Sequence, residues 1–182
     1  VALGSYSIKA VVTDNSGKSS SDGRTVVVSP PQTAYKGVVS KIPGKIEFEN
    51  YDDCGNGCAY FDDSEGNDGG ASFRTDEDVD IEDCTDEGAG YNLGWVTAGE
   101  WVEYTVDVEN SGVYDLVVRA ASENANTLSM TVDGKEIVKP IAIPTTGGWQ
   151  KWQDVKVAGV NLKEGRQVIR VTFGAKYVNL NY

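Results

Sequence analysis

Residues 101–108 read WVEYTVDV, and this stretch decides the fold. Side chains alternate along a β-strand, which puts Val102, Tyr104, Val106 and Val108 on one face and Trp101, Glu103, Thr105 and Asp107 on the other. One face belongs to a core and the other to water. The pattern returns on either side: 113–121 (VYDLVVRAA) aligns Tyr114, Leu116, Val118 and Ala120, and 167–173 (QVIRVTF) aligns Ile169, Val171 and Phe173. Residues 128–132 (LSMTV) run into Asp133-Gly134, a favoured two-residue hairpin turn. No segment keeps a helical period over three turns. Antiparallel strands with one wet face need a second sheet over the dry one, so the expected fold is all-β, a β-sandwich of jelly-roll type.

The chain has 182 residues with 21 Gly, 5 Pro and a single Met, a composition suited to many short strands joined by turns. It contains no histidine, which excludes Ser-His-Asp hydrolysis and histidine-zinc chemistry. Sixteen basic against 28 acidic residues leave a net charge of −12, so nucleic acid and anionic membranes are not expected partners. The excess is local: between Glu47 and Glu87 stand 16 Asp and Glu against one base, Arg74. Such density calls for water or for a hard cation with oxygen ligands, calcium above all. No apolar run approaches the roughly 18 residues that span a bilayer, and no basic-then-apolar export signal opens the chain. The chain starts inside strand-like sequence, so it is expected to be part of a longer secreted polypeptide. Cys54, Cys58 and Cys84 make a poor zinc set without histidine; one disulfide and one leftover thiol are expected, with the pairing open.

Residues 5–13 (SYSIKAVVT) and 24–28 (RTVVV) flank a polar turn, 14–23, and read as a hairpin that resembles the last two strands of an immunoglobulin-like or PKD-like module. Pro30-Pro31 opens a stretch that reads as an extended linker. The expected organisation is therefore a hairpin over 1–29, a linker over 30–44 and a module over 45–182.

Within that module, KIEFENYD (45–52), GNDGGASFR (66–74), VDIE (79–82), GYNLGW (90–95), GEWVEYTV (99–106), GGWQKW (147–152) and NLNY (179–182) stand in order. In these blocks the chain resembles the family 6 carbohydrate-binding modules. The resemblance implies a non-catalytic jelly-roll module, attached to a secreted polysaccharide hydrolase.

A sugar ring offers one apolar C–H face and a fringe of hydroxyls, so its site needs flat aromatic surfaces and a few oriented amides or carboxylates. Tyr91 and Trp149 lie in glycine-flanked turns suited to that task. The resemblance makes them the pair that sandwiches a pyranose and makes Asn179 the amide that bonds its hydroxyls; Asn92 is a further expected contact. Trp95 and Trp152, at strand edges, read as core, and Trp101 with Glu103 could line a second sugar cleft. Glu47 and Glu49 alternate along KIEFE and leave a strand on the same side, where like charges repel unless a cation joins them. The resemblance implies a structural calcium ion held by Glu47, Glu49, the carbonyl of Arg74 and the side chain of Asn181, the last standing where many members carry aspartate.

Apart from Lys151, bases are scarce near Tyr91 and Trp149, which favours a neutral glycan over sulfated or uronic chains. An Asp-rich surface is common in proteins of salty habitats, so an agarose-type galactan and an appended agarase come first, with xylan, cellulose or β-1,3-glucan as alternatives. The module is expected to be a monomer. Two other classes compete: a small glycosidase built on two carboxylates and an adhesion domain rigidified by calcium.

Overall fold

The computed structural model describes residues 4–28 and 30–182, which form two compact units, Val1–Pro31 and Gln32–Tyr182. Residues 1–3 and 29, part of the stretch assigned to the hairpin, lie outside the described residues.

The first unit pairs β1 (Gly4–Thr13) with β2 (Ser19–Val28) in an antiparallel ladder running from Gly4 opposite Val28 to Thr13 opposite Ser19. Its turn is shorter than the sequence suggests. Asp14 Oδ1 accepts the N–H groups of Ser16 and Lys18, both at 2.9 Å, and Gly17 takes a φ of 85°. The carboxylate closes the reversal at once, which leaves 19–23 free to pair as strand.

The second unit holds β3 (Ser40–Ile42), a 3-10 turn (Phe48–Asn50), β4 (Tyr60–Phe61), β5 (Ile81–Asp83), β6 (Tyr91–Leu93) and β7 (Trp101–Val108). There follow β8 (Gly112–Ala121), β9 (Asn126–Val132), β10 (Lys135–Glu136), β11 (Ile141–Ile143), β12 (Gln153–Leu162), β13 (Gly165–Phe173) and β14 (Asn179–Leu180). One sheet runs β10-β9-β13-β7-β3, with β11 also on β9 and β4 also on β7; the other runs β12-β8-β14-β6-β5. Their facing sides make the core of the sandwich. Val102, Tyr104, Val106 and Val108 of β7 are all buried, as the alternation requires. Each such side chain contributes roughly 1.5–3 kcal/mol through burial, an upper estimate. Opposite them lie Val118 and Ala120 of β8 and Leu180 of β14.

Two expectations need correction. The stretch 30–44 is no free linker: β3 pairs in parallel with β7, Thr33 bridges to Asp53 and Ala34 is buried, so the compact unit starts at Gln32. β7 has an edge to satisfy, and Ser40–Ile42 satisfies it. Nor do residues 47–49 continue a strand. They enter the 3-10 turn, so Glu49 is buried while Glu47 stays half-exposed and meets Lys45 Nζ at 2.9 Å. The cysteine pairing left open by the sequence is Cys54–Cys58, with Cα atoms 5.5 Å apart, and Cys84 is a buried free thiol.

Candidate functional site

Strand parity sorts the expected site residues. In β5, β6 and β14, Ile81 and Leu180 both stand opposite Leu93, and all three are fully buried on the core side. Glu82, opposite Asn92, and Asn179 therefore leave the sheet on its other face. Tyr91, two residues before Leu93, shares the core side. Its ring stacks on Phe73, with centroids 4.6 Å apart and planes 27° apart, and packs against the core. The Trp149 carbonyl accepts Asn179 Nδ2 at 2.7 Å, which holds its loop beside the outer face of the same sheet.

On that outer face a network of amides converges on one carboxylate. Glu82 Oε1 accepts Gln150 Nε2 at 2.7 Å, Asn92 Nδ2 at 3.1 Å and Asn179 Nδ2. Asn92 is fully buried, and its Oδ1 accepts Gln150 Nε2 at 3.1 Å. It supports the loop from below and does not reach the surface, which corrects its reading as a sugar contact. Gln150 in turn accepts Thr85 N–H at 2.9 Å and the Trp152 indole N–H at 3.2 Å, pinning the GGWQKW loop. Trp152 is accordingly a half-buried loop residue outside the core.

Asn179 is only 4% exposed, and both its hydrogen-bonded contacts run through Nδ2; among the described residues nothing donates to its Oδ1. That oxygen lies against Gly94, where a Cβ would stand 2.9 Å from it. The next residue, Trp95, takes a φ of 49° and is 38% exposed. The left-handed backbone after Gly94 breaks the alternation and carries Trp95 away from the core the sequence assigned it. Val96 O then accepts Tyr177 N–H at 2.8 Å, and the Tyr177 ring meets Trp149 edge-on at 6.3 Å. The structure thus sets Gly94 and the Trp149 carbonyl against Asn179, with Tyr177 edge-on to Trp149 and with Glu82 and Gln150 in the same hydrogen-bond network. Flat aromatic rings together with a carboxamide oxygen that has a vacant lone pair can stack a sugar and accept a hydroxyl proton.

The proposed second cleft is covered by the chain itself. The Arg170 guanidinium lies 3.6 Å from the centre of the Trp101 ring and donates to Glu103 at 2.7 Å.

Near the first 3-10 residues of 47–50, Phe48 N–H donates to Asn181 O at 2.8 Å, which brings Glu47 and Glu49 beside Asn181. Glu49 Oε2 is buried with no hydrogen-bond partner, and burial, seconded by Glu47, pushes its carboxyl up to about 7. Asn181 Nδ2 donates to Asp86 at 3.0 Å, whose own carboxyl is held down at about 2 by Arg119. The Arg74 carbonyl accepts Glu77 N–H at 3.1 Å, and its guanidinium binds Glu77, Asp53 and the carbonyls of Tyr51 and Asp52. A third acidic cluster, Asp62, Asp63 and Glu100, has ligand atoms within 4.8 Å of one another. Burial pushes Glu100 up to about 7, although both of its oxygens accept backbone N–H groups, from Thr97 at 2.7 Å and Asp63 at 3.3 Å.

A β-sandwich that presents aromatic rings and oriented amides at one edge is a sugar-recognition module. The chain belongs to the carbohydrate binding module family 6, whose model matches residues 70–182. Modules of this family bind polysaccharides without cleaving them and are often appended to glycoside hydrolases. The clotting factor G alpha subunit of Tachypleus tridentatus is 32% identical over 61% of this chain and 17% of its own length. The β-agarase AgaA of Microbulbifer thermotolerans is 32% identical over 35% of this chain and 15% of its own length, so the chain spans under a fifth of these relatives. Among solved structures, the family 6 module of lichenase 5A from Cellvibrio mixtus, in complex with cellotriose, is 36% identical with a TM-score of 0.52, covering 57% of this chain and 82% of that one.

Proposed function

We propose that the module binds a neutral β-linked polysaccharide between Trp95 and Trp149, with Asn179 Oδ1 accepting from a ring hydroxyl, and so keeps an appended secreted hydrolase on its substrate. The carrying observation is the unengaged Asn179 Oδ1 that lies against Gly94, beside the Trp149 carbonyl that accepts the same amide's Nδ2. Tethering raises the effective concentration of the enzyme at an insoluble surface. The Cys54–Cys58 disulfide supports an oxidising, extracellular setting. For the glycan, the agarase relative supports an agarose-type galactan, and the cellotriose-bound module of lichenase 5A supports a β-glucan as the second reading. Calorimetric titration with neoagarohexaose, cellohexaose, laminarihexaose and xylohexaose tests this. One of the four binding, with loss in Trp149→Ala, is the expected result; no binding to any of them refutes it.

Glu47, Glu49, the Arg74 carbonyl and the Asn181 side chain are the groups that would hold a calcium ion. The orphaned, buried Glu49 Oε2 is a ligand atom without a partner, and Glu47 and the Asn181 side-chain oxygen supply further hard donors nearby. When bound, the ion supplies charge compensation. The chain's own residues then clip the 3-10 turn to the last strand through Phe48 N–H and Asn181 O.

A further inference from the structure

The chain alternates as it enters β14: Val178 and Leu180 are fully buried, and Asn179 between them leaves on the other face. Tyr177, just before Val178, is 45% exposed and takes a φ of 60°. That is left-handed backbone, which glycine adopts freely and tyrosine only at a cost. Neighbouring segments hold it there. Tyr177 N–H donates to Val96 O at 2.8 Å, its carbonyl accepts Ser122 Oγ at 3.2 Å, and Asn126 Nδ2 donates to the carbonyls of Ala175 and Lys176 at 3.0 and 3.2 Å. None of these bonds uses the Tyr177 ring. The ring stands outside the core cluster, and its Oη has no hydrogen-bond partner among the described residues. What it touches is Trp149, with centroids 6.3 Å apart and planes at 79°. Strained backbone fixed by its surroundings, under a ring the fold does not need, points to a task in binding.

Two rings at that angle make a corner. A sugar lying on the Trp149 face beside Tyr177 meets the tyrosine as a wall, whichever of the two rings supplies the edge. On that side the next sugar of a flat ribbon, coplanar with the first, runs into the wall. The next sugar of a chain that turns at its linkage lays its own C–H face on the tyrosine instead. We propose, resting on the assignment of Trp149 to the sugar site, that Tyr177 is a second stacking surface and determines specificity there, selecting glycans whose neighbouring rings turn against each other over flat ribbons. The ring is held ready by the backbone bonds, so little freedom is lost on binding.

Calorimetric titration of the full chain with the four hexasaccharides named above is the test, because cellohexaose is a flat ribbon and neoagarohexaose, laminarihexaose and xylohexaose turn along the chain. The parent is expected to bind one of the turned three at least tenfold tighter than cellohexaose. Tyr177→Gly, which suits the backbone better, keeps the melting temperature, weakens that ligand about tenfold and closes the gap to cellohexaose. Tyr177→Phe keeps the gap. Tyr177→Asn, a residue enriched in left-handed backbone, repeats the measurement if glycine loosens the loop. Cellohexaose binding as tightly as the best turned ligand, or a gap unchanged in both Tyr177→Gly and Tyr177→Asn, overturns the role of Tyr177, while loss of binding in Trp149→Ala leaves the sugar site standing. No binding of any of the four to the parent overturns both.

Discussion

Trp95→Ala is predicted to weaken sugar binding about fiftyfold and leave the module folded, whereas Tyr91→Ala does the reverse. A tryptophan can bury up to about 250 Å², and the 38% of Trp95 that is exposed leaves roughly 95 Å² for a sugar to cover. At about 25 cal/mol per Å² this is about 2.4 kcal/mol, or about fiftyfold in Kd. A sugar that covers only one ring face makes this an upper bound. Trp95 makes no stacked contact with another ring among the described residues, so its loss leaves the core intact. Tyr91 stacks on Phe73 and packs against the core, so truncating it opens space there and costs about 3 kcal/mol, a fall in Tm of roughly 6–12 °C. Isothermal calorimetry with the best oligosaccharide, beside a thermal melt of each variant, reads both effects. If Tyr91→Ala abolishes binding at an unchanged Tm while Trp95→Ala binds normally, the parity assignment of the two faces is wrong.

Gly94→Ala should lower sugar affinity more than tenfold, because its Cβ would stand 2.9 Å from Asn179 Oδ1 and displace that oxygen; unchanged calorimetric affinity would mean Asn179 is not a contact. Adding calcium at a hundredfold over its Kd should stabilise the module by about 2.7 kcal/mol, raising Tm by roughly 5–10 °C, with the rise lost in Glu49→Gln. The Glu100 carboxyl, at about 7 in the folded chain against an ordinary 4.5, gives the folded state more bound protons between those values. Stability from this group is therefore full below about pH 4.5 and falls as pH rises to about 7. Chemical unfolding of the parent and Glu100→Gln across that window should show the parent lose stability relative to the variant as pH rises; a constant gap would sink the assignment. Arg170→Ala should uncover the Trp101 ring, and a second sugar per chain in calorimetry would show that only the arginine closes that face.

The core was legible because long strands have only one physical option. Eight residues of WVEYTVDV allow a single period, and its four apolar side chains went inward as that period dictates. The short elements gave less. β6 has three residues, too few for alternation to show by itself, and Tyr91 in a glycine-flanked turn carried the look of a binding residue. Yet the information was present: with Leu93 apolar and central, Tyr91 must share its side and Asn92 the other, and a glycine followed by an aromatic at 94–95 marks the point where alternation fails. The alternation of Glu47 and Glu49 failed for the opposite reason. A strand reading assumed a neighbouring strand to bond with, and the chain instead turns at Phe48–Asn50, where Tyr104 Oη donates to Phe48 O at 2.8 Å. Long-range hydrogen bonds of that kind leave no local signal, and the same holds for the parallel pairing of β3 with β7, which turned an apparent linker into an edge strand. What sequence conveys well is therefore which residues are buried together; which of the polar ones share a face has to be worked out strand by strand, as Asn92 beside Tyr91 and Leu93 shows.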